Sequence, residues 1–148
     1  MGSLPLKRKQ LVYAVCGFKK TGKTTLVSGV IRLLTGRGYQ VAVIKHDGHD
    51  FEGDVPGTDS WQHMAAGAYG TAVFSAGHYL VHKKTTSISA EALMGMFPEA
   101  DIILIEGMKD CTWPKYYCRD AAASADAIPY VADEIERLYK ERYRRVDA

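Results

Sequence analysis

The stretch that decides the fold of this chain is Gly17-Phe18-Lys19-Lys20-Thr21-Gly22-Lys23-Thr24. It matches the pattern G-x-x-x-x-G-K-[ST] at every fixed position, and in that pattern the glycines let successive backbone N–H groups turn toward phosphate oxygens. A buried strand is predicted before it, at residues 11–16, and an amphipathic helix after it, at residues 24–34. The stretch therefore predicts a loop that binds a nucleoside triphosphate, with Lys23 at the β- and γ-phosphates and the Thr24 hydroxyl on magnesium. Lys19 and Lys20 either add positive charge near the phosphates or are ordinary exposed loop lysines.

A second element supplies a carboxylate for the same site. The segment Asp101-Ile102-Ile103-Leu104-Ile105-Glu106-Gly107 is an apolar strand that ends in an acidic residue. Ligands bind beyond the carboxyl ends of parallel strands, where the phosphate loop also lies. We therefore expect Glu106 to coordinate magnesium directly or through water, because that cation prefers oxygen ligands.

Apolar runs alternate with helical patterns along the rest of the chain. This order predicts an α/β fold, a single P-loop NTPase-like domain over residues 11–148 with a mostly parallel sheet and helices on both faces. Residues 1–10 are predicted to be an N-terminal extension, in which Met1-Gly2-Ser3 has the composition of a cloning remnant. Further strands are predicted at 41–44, 71–75, 79–82, 101–105 and 116–118, and further helices at 59–66, 90–97 and 129–143.

Composition excludes several classes of protein. The 148 residues carry 19 basic and 17 acidic side chains, so no broad field for nucleic acid is expected. The three cysteines form no CxxC pair, which argues against a disulfide framework and a zinc site. No secretory leader and no apolar run of about 18 residues occur. We therefore predict a cytoplasmic protein without a membrane span.

The loop after the second strand, residues 45–57, has three interpretations. His46 and His49 with Asp47 and Asp50 could ligate a transition metal, although their spacing is not a known zinc signature. Alternatively the loop senses magnesium and the γ-phosphate through an aspartate, which is the interpretation we favour, or it is solvated and holds no site. Just beyond it, Asp59 is either a helix cap or a ligand of magnesium-bound water.

The ordered motifs resemble the MobB family, the GTP-binding adapters of molybdopterin guanine dinucleotide synthesis in molybdenum cofactor biosynthesis. The resemblance covers about residues 12–119 and is carried by the phosphate loop, Lys45-His46, Gly57-Thr58-Asp59-Ser60, Ala66-Gly67-Ala68, Ile105-Glu106-Gly107-Met108-Lys109 and Pro114-Lys115. It implies a homodimeric, magnesium-dependent GTP-binding protein with slow GTPase activity, which assists the nucleotidyltransferase that joins GMP to molybdopterin. On this basis magnesium is held by Thr24, Asp59 and Glu106, and the nucleotide is bound by Gly17, Lys19, Lys20, Thr21, Gly22, Lys23, Thr24, Thr25, Lys45 and His46.

The chain departs from the family pattern after Arg119, where only an alanine-rich stretch and one helix are predicted. Ser124-Ala125-Asp126 is a candidate for guanine recognition, and a helix cap explains its aspartate equally well. The preference for GTP over ATP therefore rests on the resemblance alone. Two other functions stay open: a small-molecule phosphotransferase with Glu106 or Asp47 as general base, and a metal carrier using His46 and His49.

Overall fold

The structure is a computed structural model that describes residues 10–48, 51–108 and 110–143. It divides into two compact units, one made of residues 1–46 with 90–148 and the other of residues 47–89. Residues 1–9 of the predicted N-terminal extension lie outside the described residues, and the domain limits of 11–148 remain a prediction. Within the described ranges, every helix is too short or too polar to cross a bilayer.

The helices and strands follow the order expected of an α/β chain. They are β1 (Leu11–Cys16), α1 (Lys23–Gly36), β2 (Val41–Lys45), α2 (Asp59–Ala65), β3 (Gly70–Phe74), β4 (Tyr79–Lys83), α3 (Ala90–Met94), β5 (Ile102–Glu106), β6 (Lys115–Tyr117), α4 (Ala121–Asp126) and α5 (Ile128–Tyr143).

The first unit is built on a four-stranded sheet in the order β2-β5-β1-β6, in which every neighbouring pair is parallel. The two central strands, β1 and β5, are apolar along almost their whole length because both of their faces are covered. One face packs against α1 and α5, and the other packs against Leu93 and Met94 of α3. The predicted α/β class, parallel sheet and helices on both faces are confirmed.

A buried hydrogen bond ties α5 to the central strand. The hydroxyl of Tyr13, a residue with 0% exposure, donates to Glu134 Oε2 at 2.5 Å. Burial, and secondarily this bond to a carboxylate, raise the pKa of Tyr13 well above its ordinary value. Tyr13 therefore stays neutral and contributes to the stability of the first unit, away from the sheet's carboxyl edge.

The second unit contains α2 and an antiparallel hairpin of β3 and β4, in which Phe74 lies opposite Tyr79. Thr58 is the N-cap of α2, and its side chain accepts from the Trp61 amide. Asp59 is therefore the first helical residue and does not cap the helix. The hairpin pairs with itself only and is a separate sheet from the parallel one.

Two observed helices differ from the predictions. The helix predicted at 90–97 ends at Met94, because Gly95 follows and Pro98 stands just beyond. The alanine-rich stretch, for which no helix was predicted, forms α4, capped by Asp120, whose side chain accepts from the Ala123 amide at 2.8 Å. An aspartate at the N-cap followed by alanines favours the start of a helix, so α4 could have been predicted from the sequence.

Candidate functional site

The 17–24 loop connects the carboxyl end of β1 to the start of α1. Its backbone φ alternates between negative and positive values, with a positive φ of 144° at Gly17, 62° at Lys20 and 86° at Gly22. Alternation of this kind produces concavities in which consecutive N–H groups face one centre, the geometry that binds anions. Lys20 is the only non-glycine residue with positive φ in the described parts of the chain, and such a conformation costs about 1 kcal/mol or more.

The two fixed glycines are required by close contacts as well as by their backbone angles. A Cβ atom at Gly17 would lie 2.8 Å from the Cys118 carbonyl oxygen, and one at Gly22 would lie 2.9 Å from Ser124 Cβ. Both contacts come from the segment that includes the end of β6 and α4. This segment therefore forms the floor against which the loop folds.

The N-terminus of α1 has no side-chain cap and no acidic residue of its own. Gly22 is its N-cap and provides no side-chain cap, and the first turn contains no acidic residue. The first amides of a helix have no partner within the helix, and the helix dipole adds positive potential there. An anion is thus the natural partner of this end of α1.

Lys23 spans the loop from its first helical position. Its Nζ atom donates to the Gly17 carbonyl oxygen at 2.8 Å, and the side chain is half-buried. The ammonium group is therefore held over the loop, where it can exchange this carbonyl for a phosphate oxygen. Lys19 and Lys20, in the same loop, are exposed, which leaves both of their predicted interpretations open.

Thr24 and Glu106 meet at the carboxyl edge of the sheet. The Thr24 hydroxyl donates to Glu106 Oε1 at 2.9 Å, and Glu106 is only 6% exposed. Glu106 ends β5, which lies beside β1 in the sheet, so the parallel register brings the acidic residue to the loop. A hydroxyl and a carboxylate at this distance form a donor set of the hard oxygen type that magnesium takes. The residues present therefore fit that ion.

Backbone hydrogen bonds hold the turn after Glu106 beside β1 and the end of β2. The His46 amide donates to the Glu106 carbonyl oxygen at 2.8 Å, and the Gly107 amide donates to Val15 at 3.0 Å. Lys45 is the register partner of Glu106, and both Lys45 and His46 are exposed. The structure thus brings the predicted cleft residues Lys45 and His46 to the same edge as the loop and Glu106.

Two other groups of predicted residues lie outside the first unit or outside the described residues. Asp59 belongs to the second unit, where it is exposed at the start of α2, and its magnesium role remains a prediction. His49 and Asp50 lie outside the described residues, so the transition-metal hypothesis for their loop is untested. Across the described ranges, no group of three or more His, Cys, Asp or Glu side chains is arranged to hold a metal.

Sequence reasoning missed the contribution of α4. The Ser124 hydroxyl is fully buried and donates to the Thr21 carbonyl oxygen at 2.5 Å. Of the segment proposed to read guanine, Ser124 is thus engaged with the loop itself, whereas Asp126 is exposed in the last turn of α4. The Asp120 cap marks where α4 starts, but nothing in the sequence indicates that Ser124 lies on the face that packs against the loop.

The thiols near the loop are packing groups. Burial raises the pKa of Cys118 despite an opposing hydrogen bond with Ser124, and burial also raises the pKa of Cys16. A raised pKa disfavours the thiolate, the reactive form of cysteine. Beside the loop, the exposed rings of Phe18 and Tyr117 form an edge-to-face pair with centroids 6.5 Å apart.

Comparison with known proteins gives matches along most of the chain. The family model MobB, described as molybdopterin guanine dinucleotide synthesis protein B, matches residues 12–135. A probable molybdopterin-guanine dinucleotide biosynthesis adapter protein of Bacillus subtilis (strain 168) is 32% identical over 142 residues, which cover 94% of this chain and 82% of that protein. The molybdopterin-guanine dinucleotide biosynthesis adapter protein of Escherichia coli (strain K12) is 35% identical over 101 residues, which cover 65% of this chain and 58% of that protein.

Solved structures agree with the sequence matches. The crystal structure of Bacillus subtilis MobB superposes with a TM-score of 0.63 at 29% identity, covering 79% of this chain and 72% of that chain. A MobB protein homolog from Bacillus stearothermophilus has a TM-score of 0.64 at 19% identity, covering 85% of this chain and 98% of that chain. At that lower identity the likeness concerns the fold alone.

Proposed function

The chain belongs to the family of molybdopterin guanine dinucleotide synthesis protein B, MobB, and from this premise we propose that it is an adapter that binds GTP with magnesium. Its role as a MobB-like biosynthesis adapter follows from the family match and the curated relatives. Nucleotide and magnesium binding are the proposed parts. The observation that carries them is the Thr24–Glu106 pair beside the uncapped N-terminus of α1.

The triphosphate is proposed to lie in the concavity of the 17–24 loop. Backbone amides of the loop and of the first turn of α1 donate to its oxygens, and Lys23 releases the Gly17 carbonyl to bind the β- and γ-phosphates. The phosphates are expected to contact the predicted binding residues from Gly17 to Thr25. Lys45 and His46 face the same edge of the sheet and complete the cleft.

Magnesium is proposed to bind between Thr24 and the γ-phosphate, with Glu106 as the buried carboxylate of the site. When bound, the ion would supply positive charge that offsets the negative charge of the phosphates. The protein's own contribution is to hold the Thr24 hydroxyl and the Glu106 carboxylate together before the ion arrives. Asp59 is proposed as a further ligand on the basis of the family resemblance.

Slow GTP hydrolysis is proposed because fast hydrolysis needs an arginine or a water-orienting glutamine at the γ-phosphate. Arg119, an exposed arginine between β6 and α4, is a weak candidate for this role, and a partner or second subunit could supply an arginine instead. A slow hydrolysis rate suits an adapter, whose nucleotide state persists long enough to govern contact with a second protein. The proposed partner is a nucleotidyltransferase of molybdenum cofactor biosynthesis.

A homodimer is proposed through the hairpin of the second unit. Phe74 is 83% exposed, and its apolar neighbours are more than half exposed, namely Tyr69 just before β3 and Val73, Tyr79, Leu80 and Val81 on the two strands. Phe74, Tyr79 and Val81 lie on one face of the hairpin, whereas Val73 and Leu80 lie on the other. The face that carries Phe74 therefore offers a second copy an exposed apolar surface with two aromatic rings. No Asp, Glu, Lys or Arg occurs from Tyr69 to Val81, so a second copy brings no like-charge repulsion and suits this surface better than a charged partner.

Calorimetric titration with GTP, ATP and GDP, each with and without magnesium, tests the nucleotide proposal. We expect GTP to bind more tightly than ATP, and magnesium to strengthen binding of the triphosphates. A matched pair of variants localises the effect: Thr24→Ala should weaken the magnesium-dependent part of binding, whereas Thr35→Ala, near the other end of α1, should not. Absence of binding by all three nucleotides would overturn the proposal.

A further inference from the structure

Ser124 is the only side chain of α4 that is fully buried. Its hydroxyl donates to the backbone carbonyl oxygen of Thr21 at 2.5 Å, across 103 residues of sequence. Its Cβ also packs against the next residue of the loop, since a Cβ added to Gly22 would come within 2.9 Å of it. One side chain thus contacts two consecutive residues of the 17–24 loop from beneath.

The hydrogen bond to Thr21 has a direct effect on the following amide. The described chain contains no cis peptide bond, and in a planar trans peptide the carbonyl oxygen and the next N–H point in opposite directions. With the Thr21 oxygen held toward α4, the Gly22 N–H is directed to the opposite side, away from the floor. An anion that approaches the loop from the side opposite α4 would therefore meet this N–H.

We propose that Ser124 is a positioning residue of the nucleotide site, which fixes the Thr21–Gly22 peptide plane so that the Gly22 N–H faces the phosphates. The inference rests on the proposed nucleotide function and extends it to a residue outside the loop motif. Because Ser124 has 0% exposure, it acts through the loop and does not touch the nucleotide. Its effect is therefore on phosphate binding and is independent of the base.

The floor of the loop adds a second support. The Cys118 carbonyl oxygen and Cβ lie against Gly17, at 2.8 and 3.0 Å from where its Cβ would stand. The Cys118 amide also donates to Cys16 at 2.8 Å. Cys118 therefore holds the start of the loop while Ser124 holds its end, and only the Ser124 contact is a side-chain hydrogen bond that one substitution can remove.

The test compares Ser124→Ala with wild type in calorimetric titrations of three probes: GTP, ATP and inorganic tripolyphosphate, all with magnesium. The expected result is a similar loss of affinity, about tenfold, for all three probes, the equivalent of one neutral hydrogen bond. The matched control is Tyr13→Phe, which also removes a buried long-range hydroxyl bond of 2.5 Å and should lower the unfolding temperature without changing affinity.

An independent measurement follows the amide itself. In nitrogen-15 spectra of the ligand-free protein, Ser124→Ala should shift the Gly22 amide resonance and speed its hydrogen exchange, and Tyr13→Phe should leave both unchanged. These spectra are recorded without a ligand, and they also establish that the variant is folded.

Every other outcome of the titrations contradicts either the positioning role of Ser124 or the proposed function. If wild type binds the probes and Ser124→Ala binds them equally well, the positioning role is wrong and the proposed function stands. A loss confined to GTP would show that Ser124 acts on the base and would overturn the inference. If wild type binds none of the three probes, the proposed function fails and the inference fails with it.

Discussion

Replacing Gly22 by alanine is expected to destabilise the folded protein for two separate reasons, one conformational and one steric. The first is conformational, since a left-handed φ of 86° costs a non-glycine residue about 1–2 kcal/mol. The second is steric, since the new Cβ would lie 2.9 Å from Ser124 Cβ and 3.1 Å from Ala121 Cα, and overpacking of this kind costs about 1–3 kcal/mol. We therefore expect Gly22→Ala to lower the free energy of unfolding by about 2–5 kcal/mol.

Gly38→Ala is the matched control for that substitution. Gly38 has a similar φ of 94°, but a Cβ there would meet nothing within 4 Å, so only the conformational cost of about 1–2 kcal/mol applies. Urea unfolding of both variants, followed by circular dichroism, measures the difference. Equal destabilisation of the two variants would refute the packing of α4 against the loop, and with it the account of how the loop is held.

Three further predictions concern the metal site, the dimer and pH. Glu106→Gln should remove most of the strengthening of GTP binding by magnesium while leaving the affinity measured in EDTA within about threefold, and an unchanged magnesium effect would exclude this carboxylate from the site. Phe74→Glu should convert a dimer to a monomer in sedimentation velocity at micromolar concentration. The control Tyr130→Glu, which changes an exposed aromatic residue on α5, should leave the dimer intact. Dimers that persist in Phe74→Glu would count against the hairpin interface. Burial, and then a hydrogen bond to Glu136, raise the pKa of Tyr39 to about 12 from its model-compound value of 10.0. The folded state therefore keeps this proton where the unfolded state loses it, so the stability contributed by Tyr39 is complete below pH 10.0 and declines toward about pH 12. The decline should be smaller in Tyr39→Phe, and identical unfolding curves for the two proteins across this range would contradict it.

The phosphate-loop pattern and the apolar strands predicted the first unit well because each is set by the local sequence, through the backbone conformation of the loop and the burial of the strands. A strand buried on both faces must be apolar throughout, as residues 102–105 are, and a loop between strand and helix requires glycine where φ is positive, as at Gly17 and Gly22. The place of Glu106 beside Thr24 followed from the rule that the carboxyl ends of parallel strands share one edge. These features need no knowledge of distant contacts.

The floor of the loop could not be predicted in the same way. Ser124 meets Thr21 across 103 residues, and nothing in an alanine-rich stretch identifies which face packs on the loop. In the second unit the strands predicted at 71–75 and 79–82 are observed as β3 and β4, but the apolar runs at 72–74 and 79–81 do not indicate whether these strands join the main sheet. They instead form a separate hairpin whose apolar side chains stay exposed.

Titration of the Lys23→Ala variant with GTP and magnesium tests the central claim most directly. Lys23 is half-buried and donates to Gly17 within its own loop, so its loss should leave the fold intact by circular dichroism and thermal unfolding. The expected result is GTP binding by wild type and no measurable binding by the variant. A folded Lys23→Ala protein that binds GTP as tightly as wild type would contradict the assignment of the 17–24 loop as the phosphate site.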